Sequence, residues 1–360
     1  MKHKKIGVLC HKPSFVYHNN KKEFLLDALL NWTNQSNQGK LCAIFSPEHG
    51  LEGTHEAGAS VSDDLSKKWG CPVYSLHGQT RAPTRSVLSN IDVLVIDIQE
   101  VGLRCYTYLS TLKLAMQAAK ENNVKVLLLE RPNPIKFWGP KGPILRSDYE
   151  SFVGKVYTPF MHGENVGTLA KKINECICAD LTVLPCGGAV NCSDYFLSNF
   201  VPPSPNLNSI DAVQAYPMTV LIEGTNYSEG RGALYPFQQI GAPWIDAKLL
   251  AKTLNDKKLK GVFFEPVTFT PKVISGMAEN PKHKNVKCGG VFMHIYDKKS
   301  ASPMIVTQTI LKELFVTYPQ QSSLEKWGGK YAMDLLIGTD QLRKWLVGKQ
   351  KPKLMKCSCG

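Results

Sequence analysis

One pattern repeats through the first half of the chain: a short aliphatic run, a polar or glycine-bearing turn, then a segment whose apolar residues recur every three or four positions. The runs fall at 6–10, 41–45, 73–76, 93–96 and 124–129, with a sixth at 181–184. Unbroken Val, Ile and Leu suit strands buried on both faces, as in a parallel sheet covered by helices; a half-exposed strand would alternate. Segments 23–32 and 107–120 carry helical spacing and are predicted to pack on that sheet. The expected class is α/β, a doubly wound and mostly parallel sheet. A proline-rich joint at 201–206 then breaks the rhythm. It sets expected domains of 1–200 and 201–360, the second a smaller α+β unit with strands at 262–269 and 290–296 and a helix at 304–315.

With 360 residues the chain exceeds one small domain, so two domains sharing a cleft are expected. No apolar run approaches the ~20 residues of a membrane span. The basic start precedes an apolar run of only 6–10, which reads as a strand and not as a signal peptide. The expected location is the cytoplasm if Met1 is the native start, and the periplasm or the exterior if a leader has been removed. A formal charge of +13 favours anionic partners. Nucleic acid is not among those expected, since the lysines are scattered and no recognition motif is present. The acid-free basic stretch 341–360 reads as a solvated tail. Eleven cysteines, an odd number without Cys-x-x-Cys pairs, read as reduced thiols with no structural metal.

In an open parallel sheet, ligands bind where loops leave the carboxyl ends of strands. Three strand ends carry an acid: Glu48 and His49 after 41–45, Asp97 with Gln99, Glu100 and Arg104 after 93–96, and Glu130 with Asn133 after 124–129. A single acid there is commonly a helix cap, so the recurrence at one edge is the informative part. His162 lies in a Met-His-Gly-Glu cluster, and 222–232 packs Glu223, Asn226, Glu229 and Arg231 among three glycines. That loop reads either as a close approach to a ligand or as a turn held by its own Glu–Arg pair. There is no G-x-G-x-x-G, no P-loop lysine and no G-x-S-x-G elbow. Carboxylates and histidines without a cofactor fit acid–base hydrolysis, and two carboxyls flanking a bond are the usual equipment for cleaving a glycoside.

The motifs Ser-Pro-Glu-His-Gly-Leu-x-Gly (46–53), Asp-Ile-Gln-Glu-Val-Gly-x-Arg-x-Tyr-Thr-Tyr (97–108), Glu-Arg-Pro-Asn-Pro (130–134), Pro-Pro-Ser-Pro-Asn-Leu (202–207), Glu-Gly-Thr-Asn (223–226) and Gly-Arg-Gly (230–232), with Ile-Gly-Ala-Pro-Trp (240–244), resemble in that order the NamZ family of exo-β-N-acetylmuramidases. The resemblance implies a Rossmann-like domain and a smaller C-terminal domain with the active site in the cleft between them. It also implies release of N-acetylmuramic acid from the non-reducing end of peptidoglycan fragments, without a cofactor or metal. By position, Glu48 is the first candidate acid with His49 beside it, and Glu130 and Glu223 are further catalytic candidates. Asp97, Gln99, Glu100, Arg104 and Tyr106 would shape the sugar pocket, closed by Asn133, His162, Asn226, Glu229 and Arg231. A muramyl lactyl carboxylate would suit a buried arginine, Arg231 or Arg104. The chain departs from the family pattern at Glu52, at Ala233 and Leu234, and at Gln238.

Two other readings stand beside this one. Glu48, His49, His55 and Glu56 suggest a metal-dependent hydrolase, though without the i, i+4 histidine pair of a metal-binding helix. The pocket departures suggest a silent protein that binds peptidoglycan sugars without turnover.

Overall fold

The computed structural model describes residues 3–18, 21–36, 39–52, 67–78, 80–186 and 196–348. His55, Glu56 and the tail lysines from 349 onward lie outside the described residues. In chain order the strands are β1 (Lys4–Cys10), β2 (Phe15–His18), β3 (Lys21–Phe24), β4 (Gly39–Ser46), β5 (Val73–Ser75), β6 (Val93–Asp97), β7 (Lys125–Leu129), β8 (Lys141–Ile144), β9 (Pro159–Met161), β10 (Leu181–Leu184), β11 (Gln239–Ala242), β12 (Val262–Phe269), β13 (Cys288–Ile295), β14 (Lys326–Trp327) and β15 (Lys330–Tyr331). The helices used below are α1 (Leu25–Ser36), α2 (Arg85–Leu88), α3 (Tyr108–Glu121), α4 (Val166–Ile177), α5 (Ile210–Thr219), α6 (Ala247–Asp256) and α7 (Pro303–Thr317). Contacts divide the chain into two compact units. The first comprises Met1–Val101, Thr107–Asn133 and Glu164–Pro205; the second comprises Gly102–Tyr106, Pro134–Gly163 and Asn206–Gly360.

The first unit is built on a six-stranded sheet in the order β10-β7-β6-β1-β4-β5. Every neighbouring pair is parallel. Renumbered within the sheet, this is the 3-2-1-4-5-6 order of the doubly wound Rossmann arrangement, whose direction of winding reverses between β1 and β6. The aliphatic runs behave as their composition requires: Ile6, Val8, Leu94, Val95 and Ile96 are almost wholly buried. Helices α1, α3 and α4 lie against β4, β7 and β10 respectively. The helical spacing from 23 overran its true start, because 21–24 forms β3 and pairs with β2 in a hairpin that sets Phe15 opposite Phe24 at a ring separation of 5.6 Å. That cross-strand aromatic pair outweighs the helical pattern of the first two positions.

The second unit carries a three-stranded sheet, β11-β13-β12, antiparallel throughout. Val262, Phe264, Val291 and Met293 face inward and are buried, and α6 packs on both β12 and β13. The exposed edge of β12 is met by Asn255 of α6, whose amide donates to Phe264 O (2.8 Å) while its carbonyl accepts from Phe264 N (3.0 Å). An edge strand covered in this way offers no free ladder at that residue. Among the described residues no helix is long and apolar enough to cross a membrane.

Candidate active site

The reversal point of the parallel sheet fixes where the first unit can bind a ligand, because the loops leaving β1 and β6 diverge there. Cys10 ends β1 opposite Asp97, which ends β6. The next residue, His11, is buried, and its Nε2 accepts the Gln99 backbone N–H at 2.8 Å. In the neutral ring the proton therefore sits on Nδ1. Burial pushes the His11 pKa well below 6.5, and the charges of Arg131 and His49 push the same way. Ser14 closes the turn, its Oγ accepting from His11 N (3.0 Å) and donating to Asp97 O (2.7 Å). Gln99 donates to Glu100 O (2.7 Å) and Pro132 O (2.8 Å), and Glu100 beside it is fully buried.

Asp97 is fully buried, with its two oxygens accepting from Arg131 Nε and Nη2, each at 2.6 Å. Arg131 also donates to Phe15 O (2.7 Å), so this bidentate pair ties the ends of β6 and β7 to the β2 hairpin. Asp97 is a sugar-pocket candidate by sequence, whereas its partner Arg131 is not among the candidates.

Glu48 lies in the turn that leaves β4, closed by Gly50 N to Pro47 O (3.1 Å). His49 in that turn has φ +73°, a left-handed conformation that costs a non-glycine residue ~1 kcal/mol or more. The Glu48 side chain is 17% exposed. Its Oε2 accepts from Thr107 Oγ1 at 2.6 Å, with His77 Nδ1 at 3.8 Å. Oε1 accepts no hydrogen bond among the described residues. Thr107 stands at the N-cap of α3, where a threonine hydroxyl ordinarily accepts from a backbone N–H; here it makes no cap bond and serves Glu48 instead. The Tyr108 hydroxyl donates to Glu48 O (3.1 Å) and Pro203 O (3.2 Å), and its ring meets His11 edge-on at 4.8 Å. Glu48 and the reversal point thus share one packed set of residues.

Glu130 follows β7 at the same sheet edge. An added Cβ on Gly167, in the first turn of α4, would stand 2.7 Å from Glu130 Oε1, so this carboxylate lies against a helix N-terminus, where negative charge is favoured. Asn133 is buried, its amide donating to Glu164 O (3.0 Å) and its backbone N–H to Asn165 Oδ1 (3.3 Å).

In the second unit Arg104 is fully buried and donates to Pro143 O (2.9 Å), Thr158 O (2.6 Å) and Ile337 O. Burial lowers its pKa to about 10. A guanidinium surrounded by backbone carbonyls organises scaffold and presents no fork to a ligand carboxylate. Tyr106 is buried with its ring 6.4 Å from Tyr216, and His162 is buried with its backbone N–H on Gly102 O (3.2 Å). Asn226 donates to Gln321 O (2.7 Å) and accepts from Ser323 N (2.9 Å), stitching its loop to 321–323.

The 222–232 loop gathers charge. Arg231 reaches Glu223 Oε1 through Nη2 at 2.6 Å and Glu229 Oε1 through Nε at 3.3 Å. Lys282, which carried no signal in the sequence, reaches Glu229 Oε2 (3.1 Å) and the carbonyls of Ile222, Glu223 and Tyr227. Burial raises the Glu223 pKa, and the Glu229 charge adds to this against the opposing pull of Arg231. Burial also acts to raise Glu229, but Lys282 and Arg231 outweigh it and hold that pKa below the ordinary carboxylate value. Two acids of one loop are thus driven apart, the pattern that separates a proton donor from a permanent anion. Among the described residues no group of three or more His, Cys, Asp or Glu could hold a metal ion.

The chain matches two family models, the N-terminal part of exo-β-N-acetylmuramidase NamZ over residues 6–211 and its C-terminal part over 214–359. It is 40% identical over 308 residues to the peptidoglycan β-N-acetylmuramidase NamZ of Bacillus subtilis (strain 168), spanning 84% of this chain and 72% of that protein. Two solved DUF1343 family proteins of Bacteroides fragilis NCTC 9343 share the fold. One aligns with a TM-score of 0.81 at 30% identity over 97% of this chain and 88% of that one. The other aligns with a TM-score of 0.68 at 32% identity over 97% and 87%. By sequence and by fold, the chain belongs to the NamZ family of exo-β-N-acetylmuramidases.

Proposed function

We propose that this chain is a glycoside hydrolase that releases N-acetylmuramic acid from the non-reducing end of peptidoglycan fragments, with Glu48 as the general acid. Family membership supports the reaction class. The observation that carries the assignment to Glu48 is the fixed orientation of its carboxyl, which Thr107 engages through Oε2. A positioned acid of this kind protonates the glycosidic oxygen as the bond to the anomeric carbon breaks. Within the second unit Arg231 is the candidate for an anionic substrate group: at 32% exposure it keeps Nη1 without a hydrogen bond among the described residues, whereas both Nη atoms of Arg104 are taken by backbone carbonyls.

Glu223 is the second reading for the acid, favoured because burial raises its pKa, as a proton donor requires. A chromogenic N-acetylmuramide separates the two. Glu48→Gln is expected to lose ~10²–10⁴ in kcat with its melting temperature kept, while Glu223→Gln loses less. The reverse order moves the acid to Glu223.

A further inference from the structure

The outward face of the three-stranded sheet in the second unit carries a row of rings. In the antiparallel register Phe263 stands opposite His294 and Glu265 opposite Phe292, so all four share one face. This face is turned away from α6, which covers Val262, Phe264 and Met293 on the other side. The rings touch in sequence: Tyr235 to Phe292 at 5.3 Å, Phe292 to His294 at 4.7 Å and His294 to Phe263 at 6.2 Å. Phe263 and Tyr296 also border a hollow of about 290 Å³ at the β12 edge, which they share with Lys258 and Lys260 and with Leu254 and Asn255 of α6. Phe263 is 49% and Tyr296 70% exposed. A run of exposed rings this long is uncommon on a surface that binds nothing.

The row also has a direction. Its Tyr235 end packs on the charged loop, since an added Cβ on Gly230 would stand 2.9 Å from Tyr235 O, and Phe237 N donates to Glu229 O (2.7 Å). The row therefore starts at the Glu229–Arg231 turn and ends at two lysines.

We infer that this aromatic row is an extended binding surface for a β-linked amino-sugar chain, which it holds along its length from the charged loop outward. The inference rests on the muramidase reading and deepens it, from small fragments to glycan strands. The chemistry selects the occupant. Exposed ring faces stack on the C–H faces of pyranoses, and Phe263 and Tyr296 offer the most exposed rings at the lysine end of the row. Midway along the row Glu265 is exposed and paired with His294 at 2.8 Å. The pair offers hydrogen-bond acceptors and a ring nitrogen to sugar hydroxyls in the middle of the row. Lys258 and Lys260 at the far end suit the lactyl or peptide carboxylate of a muramyl unit several sugars along.

The test compares the wild-type chain with the double variant Phe263→Ala, Tyr296→Ala, both positions being exposed and remote from the charged loop. The probe is a soluble glycan strand of alternating N-acetylglucosamine and N-acetylmuramic acid, stripped of peptide, with direct binding measured by calorimetry. The variant is expected to bind strands about tenfold more weakly at an unchanged melting temperature. Its ratio of turnover on strands to turnover on the chromogenic monosaccharide should fall in step. Equal affinity of variant and wild type for the strands would overturn the inference. So would ring-dependent binding to phosphatidylglycerol vesicles or a single-stranded oligonucleotide, or a self-association abolished by the variant, if strand affinity is unmoved. Strand binding that needs the rings in a chain that cleaves neither substrate would uphold the surface and refute the muramidase reading instead.

Discussion

At the scale of single residues, the proposed role of Glu48 depends on how its carboxyl is held. Thr107 gives up its capping bond in α3 to donate to Glu48 Oε2, a local departure of the sort found where function overrides helix stability. Thr107→Val is expected to lower kcat about tenfold with KM and melting temperature little changed, and Thr107→Ser to restore it. An equal loss in both variants would make the contact incidental. His11 predicts a pH effect of definite sign. Its folded pKa lies below the ordinary 6.5, so below that pH the unfolded chain binds a proton that the folded chain refuses. Stability should therefore fall on acidification below about pH 6.5, by at most ~1.4 kcal/mol per pH unit, and His11→Gln should remove that component of the slope in melts from pH 7 to 5. Glu48 was legible in the sequence because it directly follows an aliphatic run. Thr107, His11 and Lys282 were not, because their roles depend on partners 59, 88 and 53 residues away.

At the scale of elements, the strands were legible almost to their ends: burial on both faces gives β1 and β6 an unambiguous aliphatic signature, and the edge strands β5 and β10 keep short aliphatic runs though only part-buried. The β2–β3 hairpin was not: Lys21–Phe24 carries two lysines and a glutamate, and only its pairing to Phe15–His18 makes it a strand. The 222–232 loop shows the same limit. Its charges were visible, but the seam through Asn226 to 321–323 spans nearly a hundred residues. Asn226→Ala removes both side-chain bonds of the seam, which are exposed, so a loss of about 0.5–1.5 kcal/mol is expected in denaturant titrations. A loss within error would show that the backbone bonds from Asn226 N to Ser323 O and from Glu325 N to Gly224 O suffice to hold the seam. Gly224 is constrained by space, since an added Cβ would stand 2.6 Å from Met333 N.

At the scale of the whole chain, a charge of +13 suits a protein whose proposed substrate carries lactyl and peptide carboxylates. Turnover of peptide-bearing fragments should weaken with added salt more steeply than turnover of an uncharged glycoside, because screening acts on the steering of anions. The most direct measurement uses a matched pair of chromogenic β-glycosides, N-acetylmuramide and N-acetylglucosaminide, which differ only in the lactyl ether. Release of the chromophore from the first and little or none from the second is expected. Equal cleavage of the two, or cleavage of neither, would contradict the proposed activity.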